Sequence, residues 1–323
     1  MKDKFTYILA FALLVTSCSQ EQPLNAVDNN EKSDLILTTR AGTATDDFED
    51  DSELRLAIFD SGTATPYVIE NNNFIYAKKL DSKWQFSFNE GRSMSNSLGF
   101  VQNDTAKVDI VGVYPYITDS VLTKVAIDQN TQKPFMWAKS ASLSLANDVV
   151  STQLDFKHIM SALYFDMKLK NSANAVTLTH IKIKLYDNAD HLKPELPYSA
   201  TIDFTNGGTL TINDKRSEIR VLPPYNTGFT SPNEDGKYEL KCYFYMIPFA
   251  MDASDELEVS FEFDGAIPTI NNSIKIKGSD LGTGMERGVR YTIPIELSNY
   301  LKFSGTITKE TVWYKADVIN KEI

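Results

Sequence analysis

From Glu53 onward the chain is a succession of short runs in which apolar and polar residues alternate. Leu54-Arg-Leu-Ala-Ile-Phe59, Trp84-Gln-Phe-Ser-Phe88 and Val108-Asp-Ile-Val-Gly-Val113 come first. Leu163–Leu169, Ile181–Leu185, Leu210–Ile212, Tyr238–Met246, Leu257–Phe263, Ile274–Ile276 and Tyr291–Leu297 follow. A period of two sends one set of side chains into a core and the other toward water, which is the signature of a strand. Turn-forming clusters separate the runs: Asn71-Asn-Asn73, Asn206-Gly-Gly208, Pro223-Pro224, Pro232-Asn-Glu-Asp-Gly236 and Gly282-Thr-Gly284. Stretches with the helical period are scarce. The pattern predicts an all-β chain of two β-sandwich domains in tandem. The division falls within Ala146–Thr152, giving an N-terminal domain over 41–150 and a C-terminal one over 151–323. A length of 323 residues suits two domains of ordinary size.

The first 52 residues follow a different pattern. Lys2 and Lys4 precede a mostly apolar run, Phe5–Val15. That run is shorter than the roughly 20 residues a membrane-crossing helix needs. It reads as a secretory signal over 1–17, cut between Ser17 and Cys18. Val15-Thr16-Ser17-Cys18 fits a lipobox at every position, so the Cys18 thiol is expected to carry a diacylglycerol and the chain a palmitate-type anchor. Ser19–Ser33 is polar and reads as a tether. Asp34-Leu-Ile-Leu-Thr-Thr-Arg40 is β-prone and ends in an arginine. The acidic run Asp46–Ser52 lacks the alternating oxygen ligands of a calcium loop and reads as a solvated linker.

Charge and chemistry narrow the function further. The formal net charge is −11, and an acidic body repels phosphate backbones, so no nucleic-acid partner is expected. If Cys18 is acylated, Cys242 has no partner and no disulfide staples the fold. Cys242 lies inside an alternating strand and is expected to be a packed, inert thiol. The chain has three histidines, and His158 is expected to be structural rather than a metal ligand. Zinc-binding, phosphate-loop and nucleophile-elbow motifs do not occur. A glycosidase needs two carboxylates facing each other across a cleft, which 43 acidic residues alone do not specify. Phe74, Tyr76, Trp84, Phe86 and Phe88 mostly fall at strand periodicity and read as core. No enzyme activity, cofactor or metal is expected.

Four segments, in order, resemble the fimbrillins, the subunits of type V pili in Gram-negative gut and oral bacteria. They are Val108-Asp-Ile-Val-Gly-Val-Tyr-Pro-Tyr116, Lys133-Pro-Phe-Met-Trp-Ala-Lys139, Leu154-Asp-Phe-Lys-His-Ile-Met-Ser-Ala-Leu-Tyr-Phe165 and Gly288-Val-Arg-Tyr-Thr-Ile293. The third, of the form Phe-x-His-x-x-(Ser/Ala)-x-Leu-x-Phe, is the most specific. The resemblance implies transthyretin-like, Greek-key sandwiches and a precursor carried to the outer membrane as a lipoprotein. It also implies an arginine-specific protease that removes the first strand with its lipid. Arg40, followed by Ala41, fits that cut, so 18–40 would be a lipidated tether and removable strand. The family's first strand is longer than Leu35–Thr39, the apolar stretch available here.

Losing a strand leaves an open sheet edge that recruits another strand. The resemblance implies that the replacement comes from a neighbouring subunit, giving a head-to-tail filament. The candidate donor is the tail, about 299–323, with Val312, Tyr314, Ala316 and Val318 on one face and Ile319 closing the run. The leading expectation is therefore a structural subunit of a surface fimbrium, serving adhesion and biofilm formation, with other fimbrial subunits as partners. A tip or accessory subunit is the nearest alternative. A glycan-binding surface lipoprotein is another; it would expose Trp84, Trp137 or Trp313.

Overall fold

A computed structural model describes residues 32–41, 47–67, 74–88, 94–95, 100–101, 103–117, 124–146, 149–169, 176–223, 228–229, 238–264, 272–282, 284–297 and 301–311. These are almost entirely strand, as the alternation predicts. The chain runs β1 (Lys32–Ala41), β2 (Glu53–Asp60), β3 (Phe74–Leu80), β4 (Lys83–Ser87), β5 (Phe100–Val101), β6 (Asn103–Tyr114), β7 (Lys124–Asp128), β8 (Met136–Leu145) and β9 (Val149–His158). It continues through β10 (Ser161–Leu169), β11 (Val176–Tyr186), β12 (Leu196–Asp203), β13 (Thr209–Arg216), β14 (Glu218–Val221), β15 (Gly228–Phe229), β16 (Tyr238–Met246), β17 (Phe249–Ala250) and β18 (Glu256–Asp264). Last come β19 (Ser273–Lys277), a single helical turn α1 (Gly278–Leu281), β20 (Gly284–Met285), β21 (Arg290–Leu297), β22 (Leu301–Phe303) and β23 (Thr308–Glu310).

The first sheet has the order β4-β3-β2-β6-β8-β9-β1-β5. It curls so that β4 and β1, far apart in that order, meet through a Trp84–Thr39 hydrogen bond of 3.1 Å. Its concave face holds Leu54, Leu56, Ile58, Ile110, Leu154 and Phe156. The second half of the chain is a sandwich. A sheet ordered β16-β10-β21-β22 faces one ordered β14-β11-β18-β19. Phe165, Ile183, Phe244, Phe261 and Ile293 fill the space between them. Residue 150 lies within β9, whose ten residues all belong to the first sheet.

A third core joins the two halves. The small sheet β13-β12-β7 contributes Val125, Ile127, Ala200 and Ile202. These pack with Phe59 and Val113 from the first sheet and with Tyr164, Tyr243 and Tyr245 from the second. Strands that border this core are covered on both faces and lose the polar half of their pattern. This is why Leu54–Phe59 and Ser161–Phe165 are continuously buried, whereas β9 and β21 keep strict alternation.

Two local features hold the first sheet in shape. Gly112 on β6 lies under the Phe156 ring: a Cβ there would sit 2.6 Å from Phe156 Cζ and 2.9 Å from Leu154 Cδ1. Midway along β6, the buried Asp109 receives the N–H groups of Ser142 (2.9 Å) and Gly62 (3.1 Å) and the Lys139 ammonium (2.9 Å). Ser142 has φ of 58°, an unusual value for serine. Burial alone would raise the Asp109 pKa; the Lys139 ion pair and the backbone donors outweigh it and hold the carboxyl at about 2.

Gly112→Ala is expected to destabilise the protein by about 1–3 kcal/mol through overpacking, measured by urea denaturation. Asp109→Ala is expected to cost about 1–3 kcal/mol at neutral pH, because it removes a buried charged acceptor of three hydrogen bonds whose exposed donors turn back to water. A folded-state pKa of about 2, below the ordinary 3.8, makes the carboxylate's contribution full above the unfolded value. It is lost as pH falls from about 4 through 2. Urea midpoints across that window should drop more steeply for the natural chain than for Asp109→Asn.

Candidate functional site

The candidate site is built around β1. Leu35, Leu37, Thr39 and Ala41 point inward and are buried, while Asp34, Ile36, Thr38 and Arg40 are exposed. This alternation is the expected behaviour of a β-prone segment laid against an apolar edge. Eight consecutive residues pair in parallel with β9, from Asp34 opposite Val149 to Ala41 opposite Phe156. Lys32 and Ser33 pair with β5. Among the described residues no strand pairs with the other side of β1 from Asp34 to Ala41. Leu35, Leu37 and Ala41 thus complete the first core from the rim of its sheet, beside Trp84, Phe86, Val150 and Phe156.

One inward position of β1 is polar. Thr39 is buried, and its Oγ1 accepts the Trp84 indole N–H from β4 while donating to Asp47 Oδ1. Asp47 also accepts the N–H of Phe48 (2.7 Å), and its second oxygen pairs with Lys79 Nζ on β3. The Lys79 side chain is almost wholly buried and donates in addition to the Phe48 carbonyl (2.6 Å). Phe48 turns into the core, its ring 5.0 Å from Phe156 and 5.8 Å from Trp84. Asp46–Ser52 was expected to be a solvated linker; the part from Asp47 instead fastens the end of β1. An aromatic residue with a place to bury outweighs the acidic character of its neighbours.

At the downstream end of β1, the Arg40 side chain is exposed but its backbone lies in the ladder opposite Asp155. Ala41 is fully buried opposite Phe156. A protease acts on an extended segment free of such pairing, so a cut here requires the end of β1 to open. Beyond it lies a cleft of about 600 Å³ lined by Phe156, Lys157, His158, Arg287 and Thr311 among others. Thr311 is the residue at which the described C-terminal segment stops. β23 brings the chain there by pairing antiparallel with the first residues of β21.

A family model described as fimbrillin-like matches residues 39–310. The chain belongs to the fimbrillin-like family. Among solved structures it is similar to a candidate cell-adhesion protein from Bacteroides uniformis ATCC 8492, at 16% identity over 87% of this chain and 98% of that one, with a TM-score of 0.55. It is similar to another from Bacteroides ovatus ATCC 8483, at 15% identity over 87% and 96%, with a TM-score of 0.51. At these identities the likeness shows the fold. No curated protein matches the chain.

Within this fimbrillin-like chain, β1 has ten residues rather than the short Leu35–Thr39 run expected from the apolar pattern. The ladder carries polar Lys32 and Ser33 at one end and passes through Arg40 at the other. Ser17 and Cys18 lie outside the described residues, as do Val312, Tyr314, Ala316, Val318, Ile319 and Trp313. Trp84 is buried, and half-buried Trp137 spends its indole N–H on the Phe204 carbonyl (2.8 Å). Neither offers the open aromatic platform a glycan-binding reading requires. Cys242 is buried, and burial pushes its thiol pKa far up. His158 is buried at the end of β9. Among the described residues no group of three or more His, Cys, Asp or Glu could hold a metal, and no helix is long and apolar enough to cross a membrane.

Leu35→Ala and Leu37→Ala should each weaken the seating of β1 by about 2–5 kcal/mol. Both should therefore speed trypsin cleavage after Arg40, followed by mass spectrometry. Ile36→Ala, on the exposed face, should leave that rate unchanged within twofold.

Proposed function

We propose that this fimbrillin-like chain is a structural subunit of a surface fimbrium. In this reading the precursor is lipidated at Cys18 and held at the outer membrane. An arginine-specific protease cuts between Arg40 and Ala41, releasing β1 with its lipid. The subunit then takes a strand from a neighbour into the vacated groove and gives its own tail, about 299–323, to the next. Its role is mechanical and adhesive, in surface attachment and biofilm, rather than catalytic.

The observation that carries this reading is the seating of β1. Three of the four inward side chains described on β1 complete an apolar core, yet it lies near the rim of the sheet, held by one long ladder to β9 and a two-residue pairing with β5. Such a strand can leave without unthreading the rest of the sheet. Its departure would expose β9 backbone groups and an apolar slot, and an open edge with those properties captures an extended segment. A strand end at the same cleft as Thr311 is consistent with a handover between the tail and this groove. The contact would be head-to-tail and non-closing, and so filamentous.

Arg40→Ala should leave the protein lipidated, uncut and monomeric on the cell surface, with β1 retained. Deleting 311–323 should give processed, folded monomers that fail to extend filaments. Both outcomes are read from N-terminal sequencing of surface extracts and from electron microscopy. Normal filaments from either variant would overturn the corresponding step.

A further inference from the structure

Resting on the strand-exchange reading above, we propose that the β1 groove selects its next occupant by a hydroxyl. The incoming strand must place Ser or Thr opposite the Trp84 indole. The argument starts from Trp84, whose buried N–H finds its acceptor in Thr39 Oγ1 at 3.1 Å. That acceptor belongs to the segment that leaves. The other members of the cluster stay: Trp84 on β4, Lys79 on β3 and Asp47 beyond the cut. Asp47 is half exposed, so water can replace the hydroxyl it receives. Trp84 is shielded, and an aliphatic residue opposite it would leave a buried donor unsatisfied. A strand carrying Val in place of Thr has the same shape but should bind roughly 5- to 150-fold more weakly.

Beyond Thr311 the chain's own tail offers no aliphatic hydroxyl: residues 312–323, Val-Trp-Tyr-Lys-Ala-Asp-Val-Ile-Asn-Lys-Glu-Ile, contain no Ser or Thr. Thr308 pairs in β23 against β21, and Thr311 follows that ladder as the hydroxyl next to the apolar run.

The test uses the full chain cut after Arg40 and freed of β1. It is offered labelled peptides spanning 32–41 in three forms: natural, Thr39→Ser and Thr39→Val. Fluorescence anisotropy should give similar affinities for the first two and a 5- to 150-fold loss for the third. In a Trp84→Phe background, which removes the donor and keeps an aromatic ring, the gap should close. A peptide of residues 312–323 should bind no better than the Thr39→Val strand. Equal binding of all three strands to the natural protein would overturn the hydroxyl rule while leaving strand exchange intact. Tight binding of the 312–323 peptide, which carries no hydroxyl from Ser or Thr, would likewise overturn the hydroxyl rule. Failure of every peptide to bind a protein that retains its β circular-dichroism signal would overturn the strand-exchange reading itself, and this inference with it.

Discussion

The parallel ladder between β1 and β9 is the contact on which the first half of the molecule depends. Its partners lie more than a hundred residues apart in sequence, so nothing local holds them together. What holds them is shared need. Without β1, β9 would have unpaired backbone groups along one edge and the first core an open side at Val150 and Phe156. β1 closes both at once. Backbone groups that lack partners in a dry setting cost as much as a lost hydrogen bond, so eight paired residues amount to a strong restraint. The same restraint is concentrated in one terminal segment, and that makes it removable.

The other cores of the chain do not draw on β1. The third core, with Phe59, Tyr164, Ile202 and Tyr245, lies on the far face of the first sheet and does not include any residue of β1. The sandwich built on Phe165 and Phe261 is independent of it as well. Asp109 and its donors fix the β6–β8 irregularity in the middle of the sheet, two strands away from β1. A subunit that gives up a strand needs its other cores intact to present a preformed groove, since a slot that collapsed would have to be reopened at the expense of binding.

Much of this was legible in the residue pattern, and the exceptions have physical causes. Strands with one wet face, such as β18 and β21, announce themselves by alternation. So did the structural His158 and the packed Cys242, both of them buried. β7 and β12 were passed over because their signal is short and their burial comes from a sheet assembled across the whole chain. Lys32 and Ser33 read as tether because polar residues give no signal of a backbone pairing such as theirs with β5. Asp47, Phe48 and Lys79 were missed for a different reason. An acidic run predicts solvation, and only the folded chain shows that Asp47 neutralises a lysine buried beneath it.

The division of labour along β1 follows from the physics of each contact. Leucine and alanine side chains contribute to holding almost any apolar strand, because hydrophobic burial is non-directional. They cannot distinguish one β-prone segment from another of similar bulk. A hydrogen bond buried among them is directional, and its loss is costlier than its formation is favourable. Placing one such bond at Thr39, with Leu35 and Leu37 on one side and Ala41 on the other, separates strength from choice. The apolar positions decide whether a strand stays, and the single polar position decides which strand can.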